Sequence, residues 1–242
     1  MQEGQAPSIQ GAGSIILVRH GQTDYNAAGK MQGQIDIPLN ATGLWQARQS
    51  AQALSQEYIL GHPERKQIVV ASDLSRAYKT AQVFARPLGL AVETDPRARE
   101  RSFGQWEGLR AADVKERWPE DYRSWMLSDG GELKHGAESK EAVGQRGLGL
   151  LADWSSRAGR DTDLFVFSHG SWIVQTVQAL FGFKGLAVQA ANFGSLRNAH
   201  WVRLVAQPVV DGRVMWKLTD FNRGPSTAQV GDWNRPDESM LP

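Results

Sequence analysis

Short apolar runs alternating with helix-length periodic stretches constrain this chain more than any other feature. Residues 14–19 (SIILVR) form a β-branched run between Gly13 and Gly21 and predict a buried parallel strand. Residues 67–71 predict a second strand, 90–93 a short third and 164–167 (LFVF) a fourth. Between them, residues 42–58 place Leu44, Ala47, Ala51, Leu54 and Tyr58 on one helical face, with Thr42 as N-cap. Residues 72–88 do the same with Leu74, Ala77, Ala81, Phe84 and Leu88, and 170–181 with Ile173, Val174, Val177 and Leu180. Residues 201–205 and 214–219 flank Asp211-Gly212 and predict a hairpin.

Strands alternating with helices imply a mostly parallel sheet covered on both faces, a three-layer α/β/α architecture. The expected domain spans 14–222, after a flexible leader at 1–13 and before a polar tail at 223–242 lying loosely on the surface. Residues 101–160 break the rhythm, with Trp106, Trp118, Trp125, Trp154 and helical pieces at 111–127 and 139–158. They read as a small cap inserted between the third and fourth strands. Its tryptophans are expected to pack the cap onto the domain, and His135 to sit in a solvated loop.

Composition removes several classes of function. The chain has no cysteine among its 242 residues, which excludes disulfides, a thiolate nucleophile and cysteine-ligated metal. Its 27 basic and 26 acidic side chains leave no global field for nucleic acid or an anionic membrane. No run reaches the roughly 18 apolar residues of a membrane span, and the N-terminus lacks the basic start and apolar stretch of a signal peptide. The expected compartment is the cytoplasm.

The residues that follow the strands carry the chemistry, because ligands of open α/β sheets bind beyond the carboxyl ends of the strands. Arg19-His20-Gly21-Gln22-Thr23 follows the first, Ser72-Asp73-Leu74-Ser75-Arg76 the second, Arg99-Glu100-Arg101 the third and Ser168-His169-Gly170 the fourth. Cations gathered at helix N-termini make an anion site suited to phosphate. A neutral imidazole, His20 or His169, can attack phosphorus while arginines neutralise the equatorial oxygens. Glu100 can protonate the leaving oxygen and then activate water. His62 and His200 have no metal-ligand spacing, and no Walker pattern or acidic cluster calls for magnesium, so neither metal nor cofactor is expected.

LVRHGQTDYN, SDLSRAYKTA, RERSFGQWEGL, GAES at 136–139 and FSHGSWI, in that order, resemble the histidine phosphatase superfamily in its phosphoglycerate mutase-like branch. The resemblance implies that fold and an activity through phosphohistidine without metal. It implies that His20 is the nucleophile, Glu100 the acid and base, and His169 a second histidine holding phosphate oxygens. Arg19, Arg76 and Asn26 match phosphate-holding positions, and Gly170 beside His169 joins them. Gly21 matches the residue whose carbonyl orients the nucleophile. Gln22, Thr23, Gln32 and Gly33 lie where the family lines its pocket. Mutases of the family carry a longer cap with an adjacent arginine pair. Here Arg101, Arg110, Lys115, Arg117 and Arg123 are dispersed, which favours a phosphatase. Arg101 resembles the mutases and keeps a substrate-binding role and a mutase activity as the alternative. A non-catalytic phospho-ligand module has no need of Glu100. Within the phosphatases, KMQGQID and the late WKLTDFN are similar to actinobacterial glucosyl-3-phosphoglycerate phosphatases, with Ala137 departing from a glycine. The expected partner is a small phosphorylated metabolite, not nucleic acid or membrane, with a homodimer left open.

Overall fold

The computed structural model describes residues 9–183, 194–208 and 214–241. Six strands form one sheet in the order β3-β2-β4-β1-β5-β6. These are β1 (Ser14–Arg19), β2 (Lys66–Ala71), β3 (Glu93–Thr94), β4 (Thr162–Ser168), β5 (Trp201–Gln207) and β6 (Met215–Arg223). The first four run parallel, whereas β5 and β6 are antiparallel additions at one edge. The two central strands β1 and β4 are buried almost throughout, as expected of parallel strands covered by helices on both faces.

The helices are α1 (Asp24–Ala27), α2 (Ala41–Tyr58), α3 (Ser75–Ala85), α4 (Ala111–Arg117), α5 (Pro119–Met126), α6 (Lys140–Ser156) and α7 (Gly170–Leu180). One core packs α6 and α7 through Val143, Leu148, Leu151, Trp172, Ile173 and Val177 against one sheet face. The other packs α2 and α3 through Leu54, Tyr58, Ala81 and Phe84 against the opposite face. The three-layer architecture is the one expected.

Several expectations need correction. The N-cap of α2 is Asn40, whose Oδ1 accepts from Gly43 N–H at 2.9 Å, not Thr42. The third strand is Glu93–Thr94, a pair of residues beside Val70 and Ala71, instead of 90–93. Pro119 splits 111–127 into α4 and α5, because it cannot donate to the preceding turn. Helix α6 belongs to the main helical layer, so the cap proper ends near Ser139. The Asp211-Gly212 turn lies outside the described residues.

Both ends are also more firmly seated than expected. The leader is packed from Ile9 onward: Ile9 and Ala12 are buried, and Trp216 Nε1–H donates to Ile9 O at 3.2 Å. The tail buries Trp233, whose Nε1–H donates to Asn198 O at 2.9 Å and whose carbonyl accepts from Gln46 Nε2 at 2.9 Å. In the cap, Trp106 is fully buried against Trp118, Trp125 and His135. That is the packing role expected of it. His135 is not solvated: it is buried, with Nε2 2.9 Å from Asp121 Oδ2.

His200 is buried beside Trp233, and burial lowers it from the usual histidine range to about 4. Its folded-state value lies below its unfolded one, so the stability it contributes is complete above about pH 6.5 and is lost as pH falls toward 4. Thermal melts between pH 7 and 4 should show a smaller loss of stability for His200→Gln than for the native chain. Parallel losses would mean that His200 does not titrate in this way.

Candidate active site

The site is built from the segments that follow the four parallel strands β1, β2, β3 and β4. His20 follows β1, is 2% exposed, and lies with its ring 5.1 Å from that of His169, which follows β4 and is fully buried. His20 Nδ1 is 2.6 Å from the Gly21 carbonyl. A carbonyl only accepts, so Nδ1 carries the proton and Nε2 keeps its lone pair. Gly21 is required there, since a Cβ would fall 2.3 Å from Gly43 O. Burial first, then the charges of Arg76 and Arg19, hold His20 well below the usual histidine range. The same causes hold His169 low, with His20 and Arg146 adding to them. Both rings are neutral at physiological pH.

The two arginines are placed by backbone carbonyls. Arg76, fully buried on α3, donates from Nη1 to Ile35 O and from Nη2 to Gly33 O, each at 2.8 Å. Arg19 donates from Nη1 to Leu196 O. Gly33 adopts φ +51°, and its missing Cβ is the space that Glu107 Oε1 fills. Glu107 in turn accepts from Gln34 N at 3.1 Å and Phe103 N at 3.0 Å, which fixes the loop presenting those carbonyls. Burial pushes both guanidinium groups down from their usual range, while Glu100 pulls them back up.

Glu100, in the segment after β3, turns its carboxylate to the first amides of α7. Its Oε1 accepts from Arg101 N at 2.8 Å and Trp172 N at 2.9 Å, and its Oε2 from Ser171 N at 3.2 Å. Gly170 opens the same helix, its Cβ position 3.3 Å from Arg19 Nε. Asn26 Oδ1 accepts from Thr23 N at 3.2 Å and from Asn198 Nδ2 at 3.1 Å, which leaves its Nδ2 as the free donor.

The remaining expected residues divide. Thr23 Oγ1 donates to Gln32 Oε1 at 2.8 Å and caps α1, so these two brace the loop. Gln22 donates from Nε2 to Asn234 O at 3.1 Å and ties the tail to the site. Gly33 acts through its carbonyl. Arg101 is not brought to the site as a free cation: it is 2% exposed, 2.7 Å from Glu132 and 2.6 Å from Glu138 O.

Eight buried side-chain atoms among the described residues lack a hydrogen-bond partner. Four of them are Arg19 Nε, Arg76 Nε and both ring nitrogens of His169. Buried polar atoms are nearly always satisfied. Two cationic donors and an imidazole left open at one point describe a place for an anion.

The profile of the histidine phosphatase superfamily (branch 1) matches residues 15–213. The chain belongs to that superfamily. This histidine phosphatase is 32% identical to a glucosyl-3-phosphoglycerate phosphatase of Mycolicibacterium vanbaalenii, over 90% of this chain and 96% of the relative. It resembles the structure of a mycobacterial glucosyl-3-phosphoglycerate phosphatase complexed with VO3, with a TM-score of 0.73 and 31% identity over 86% of this chain and 98% of that one. A phosphoserine phosphatase mutant of Entamoeba histolytica in complex with phosphoserine follows at TM-score 0.69 and 27% identity, over 86% and 96%. The phosphatase is an enzyme of phosphomonoester hydrolysis.

Sequence reasoning missed Arg146, Glu107 and Asn198. Asn198 Nδ2 also lies 3.1 Å from His20 O. Arg146 on α6 donates to Arg97 O at 2.6 Å, Arg99 O at 2.7 Å, Glu100 O at 3.1 Å and both oxygens of Glu138. It gathers the turn that carries Glu100. Arg146→Met removes the donor to Arg99 O and the cation beside Glu138, while Arg97 O keeps Trp172 Nε1–H and Glu100 O keeps Gln34 Nε2–H. It is expected to cost about 3 kcal/mol in a denaturant titration. It should also speed hydrogen exchange of the amides at 100–102. A variant as stable as the native chain, with unchanged exchange, would show the turn to be held by other contacts.

Proposed function

We propose that the phosphatase hydrolyses a small metabolite's phosphate ester in two steps through His20. The neutral Nε2 attacks phosphorus as the bond to the leaving oxygen breaks. Glu100, in its protonated form, gives that oxygen its proton. Water then attacks the phosphohistidine, Glu100 takes the water's proton, and phosphate leaves with His20 neutral again. Arg19, Arg76, His169, the Asn26 amide and the Gly170 N–H hold the equatorial oxygens as charge spreads over them. In this reading the arginines supply the positive charge that a metal supplies elsewhere.

The unpartnered Arg19, Arg76 and His169 atoms around a histidine of fixed tautomer carry this reading. Sugar and glycerate phosphates are the substrate classes it favours, and the phosphatase-named relatives support them. A cytoplasmic location belongs to the same reading. The mutase alternative draws on the resemblance of Arg101 to the mutases at the position after Glu100. Arg101 is buried against Glu132, so hydrolysis is the outcome that the geometry supports better.

Phosphate release with chelator present tests the assignment. His20→Ala is expected to abolish turnover and acid-labile labelling by substrate phosphate while keeping the native melting curve. Turnover near the native rate would overturn the nucleophile. Glu100→Gln is expected to slow hydrolysis of an alkyl phosphate about 10²–10⁴-fold, the usual worth of a general acid. It should slow nitrophenyl phosphate much less, because nitrophenolate leaves without a proton. Equal losses on both would remove Glu100 from the acid role.

A further inference from the structure

The cavity beside the phosphate centre holds cations that phosphate chemistry does not use. It encloses about 770 Å³ and is lined on one side by Arg19, Gln22 and Asn26, and on the other by Arg197, Asn198 and Arg235. Arg19 and Asn26 belong also to the anion centre, so the cavity adjoins it. A substrate whose phosphate lies there extends its remaining groups toward Arg197 and Arg235.

Neither of these arginines is in an ion pair among the described residues. Arg197 makes one side-chain hydrogen bond there, from Nη1 to Ala228 O at 3.3 Å. Arg235 donates through its backbone N–H to Asp232 O. Asp232 lines the same cavity and accepts from Asn234 N at 3.0 Å. The charged wall is thus three arginines against one aspartate. Such a cavity selects a second negative group.

Its walls are built in advance. Trp233 is sunk in a pocket beside Trp45 and His200. Gln22 holds the carbonyl of Asn234, and Arg197 N–H donates to Asn222 Oδ1 at 2.8 Å. The tail therefore arrives at the cavity on an anchored aromatic. A fixed wall binds without the entropy of ordering a loose strand.

We infer that Arg197 and Arg235 form a subsite for a carboxylate that the substrate carries beside its phosphate ester. This rests on the hydrolase reading above and narrows its substrate to a phosphorylated acid. A guanidinium fork matches the two oxygens of a carboxylate. Arg101, the cap arginine nearest Glu100 in sequence, is already bound to Glu132. The relatives named for phosphoglycerate and phosphoserine substrates are named for phosphorylated acids.

The test compares 3-phosphoglycerate with glycerol 3-phosphate, which differ only in a carboxylate replaced by a hydroxymethyl group. Binding is measured by calorimetry in the turnover-free His20→Ala protein, and phosphate release in the native chain. The acid is expected to bind at least about tenfold more tightly. Arg197→Gln and Arg235→Gln should each narrow that preference, and the double variant should remove it. In the active chain the change is expected in KM more than in kcat. Equal or undetectable affinity for the two ligands would overturn the subsite, as would variants that weaken both alike. Discrimination in binding without phosphate release would instead overturn the hydrolase reading and leave the subsite standing.

Discussion

Two guanidinium groups, one fully and one partly withdrawn from water, are seated on backbone carbonyls and set the terms for everything around them. Arg76 rests on Gly33 O and Ile35 O, and Arg19 on Leu196 O. Burying a charge is costly unless it is paired and hydrogen-bonded. Carbonyl dipoles meet part of that cost, and the field of Glu100 meets more. The inner donors stay open, and an anion that fills them completes the balance. Neighbouring features follow from keeping those carbonyls still. Gly33 takes a positive φ so that Glu107 can occupy the space beside it, and Glu107 ties the loop to the base of the cap. Burial first, and then the same cations, keep His20 and His169 neutral, and a neutral imidazole is the form that attacks.

Much of this was legible in the sequence, for identifiable reasons. β1 and β4 are buried on both faces, so their apolar runs stand out. Residues just beyond such strands lie at one end of the sheet, which is why His20, Arg76, Glu100 and His169 were found together. Backbone donors and acceptors carry no such signal. Nothing in the letters of Gly33, Ile35 or Leu196 says that their carbonyls hold an arginine. Arg146 was missed because its role depends on α6 lying beside the turn at 97–100. Helical periodicity assigns α6 a buried face but not a layer, hence its assignment to the cap. The tail looked loose because polar and turn residues surround Trp233. One large aromatic was enough to anchor it, and Gln46 and Asn198 received it.

The cap and the tail divide the work of choosing a substrate unequally. The cap's buried ionic pair near the site points into the protein: Arg101 meets Glu132, while Trp106 is fully buried. Removing one partner of a buried pair typically costs 3–5 kcal/mol, so such groups are not free to turn toward a ligand. The cap base is therefore a fastened wall. Passing a phosphoryl group between two hydroxyls of one substrate requires the site to hold that substrate while it is reoriented, and water must stay out meanwhile. With Arg101 engaged inside the protein, the cap residue beside Glu100 supplies no such grip. The cations that line the cavity lie instead on the tail side, beside Arg19, where they hold one end of a substrate in one orientation. A substrate fixed that way presents its ester once, loses its alcohol, and leaves the phosphohistidine to water.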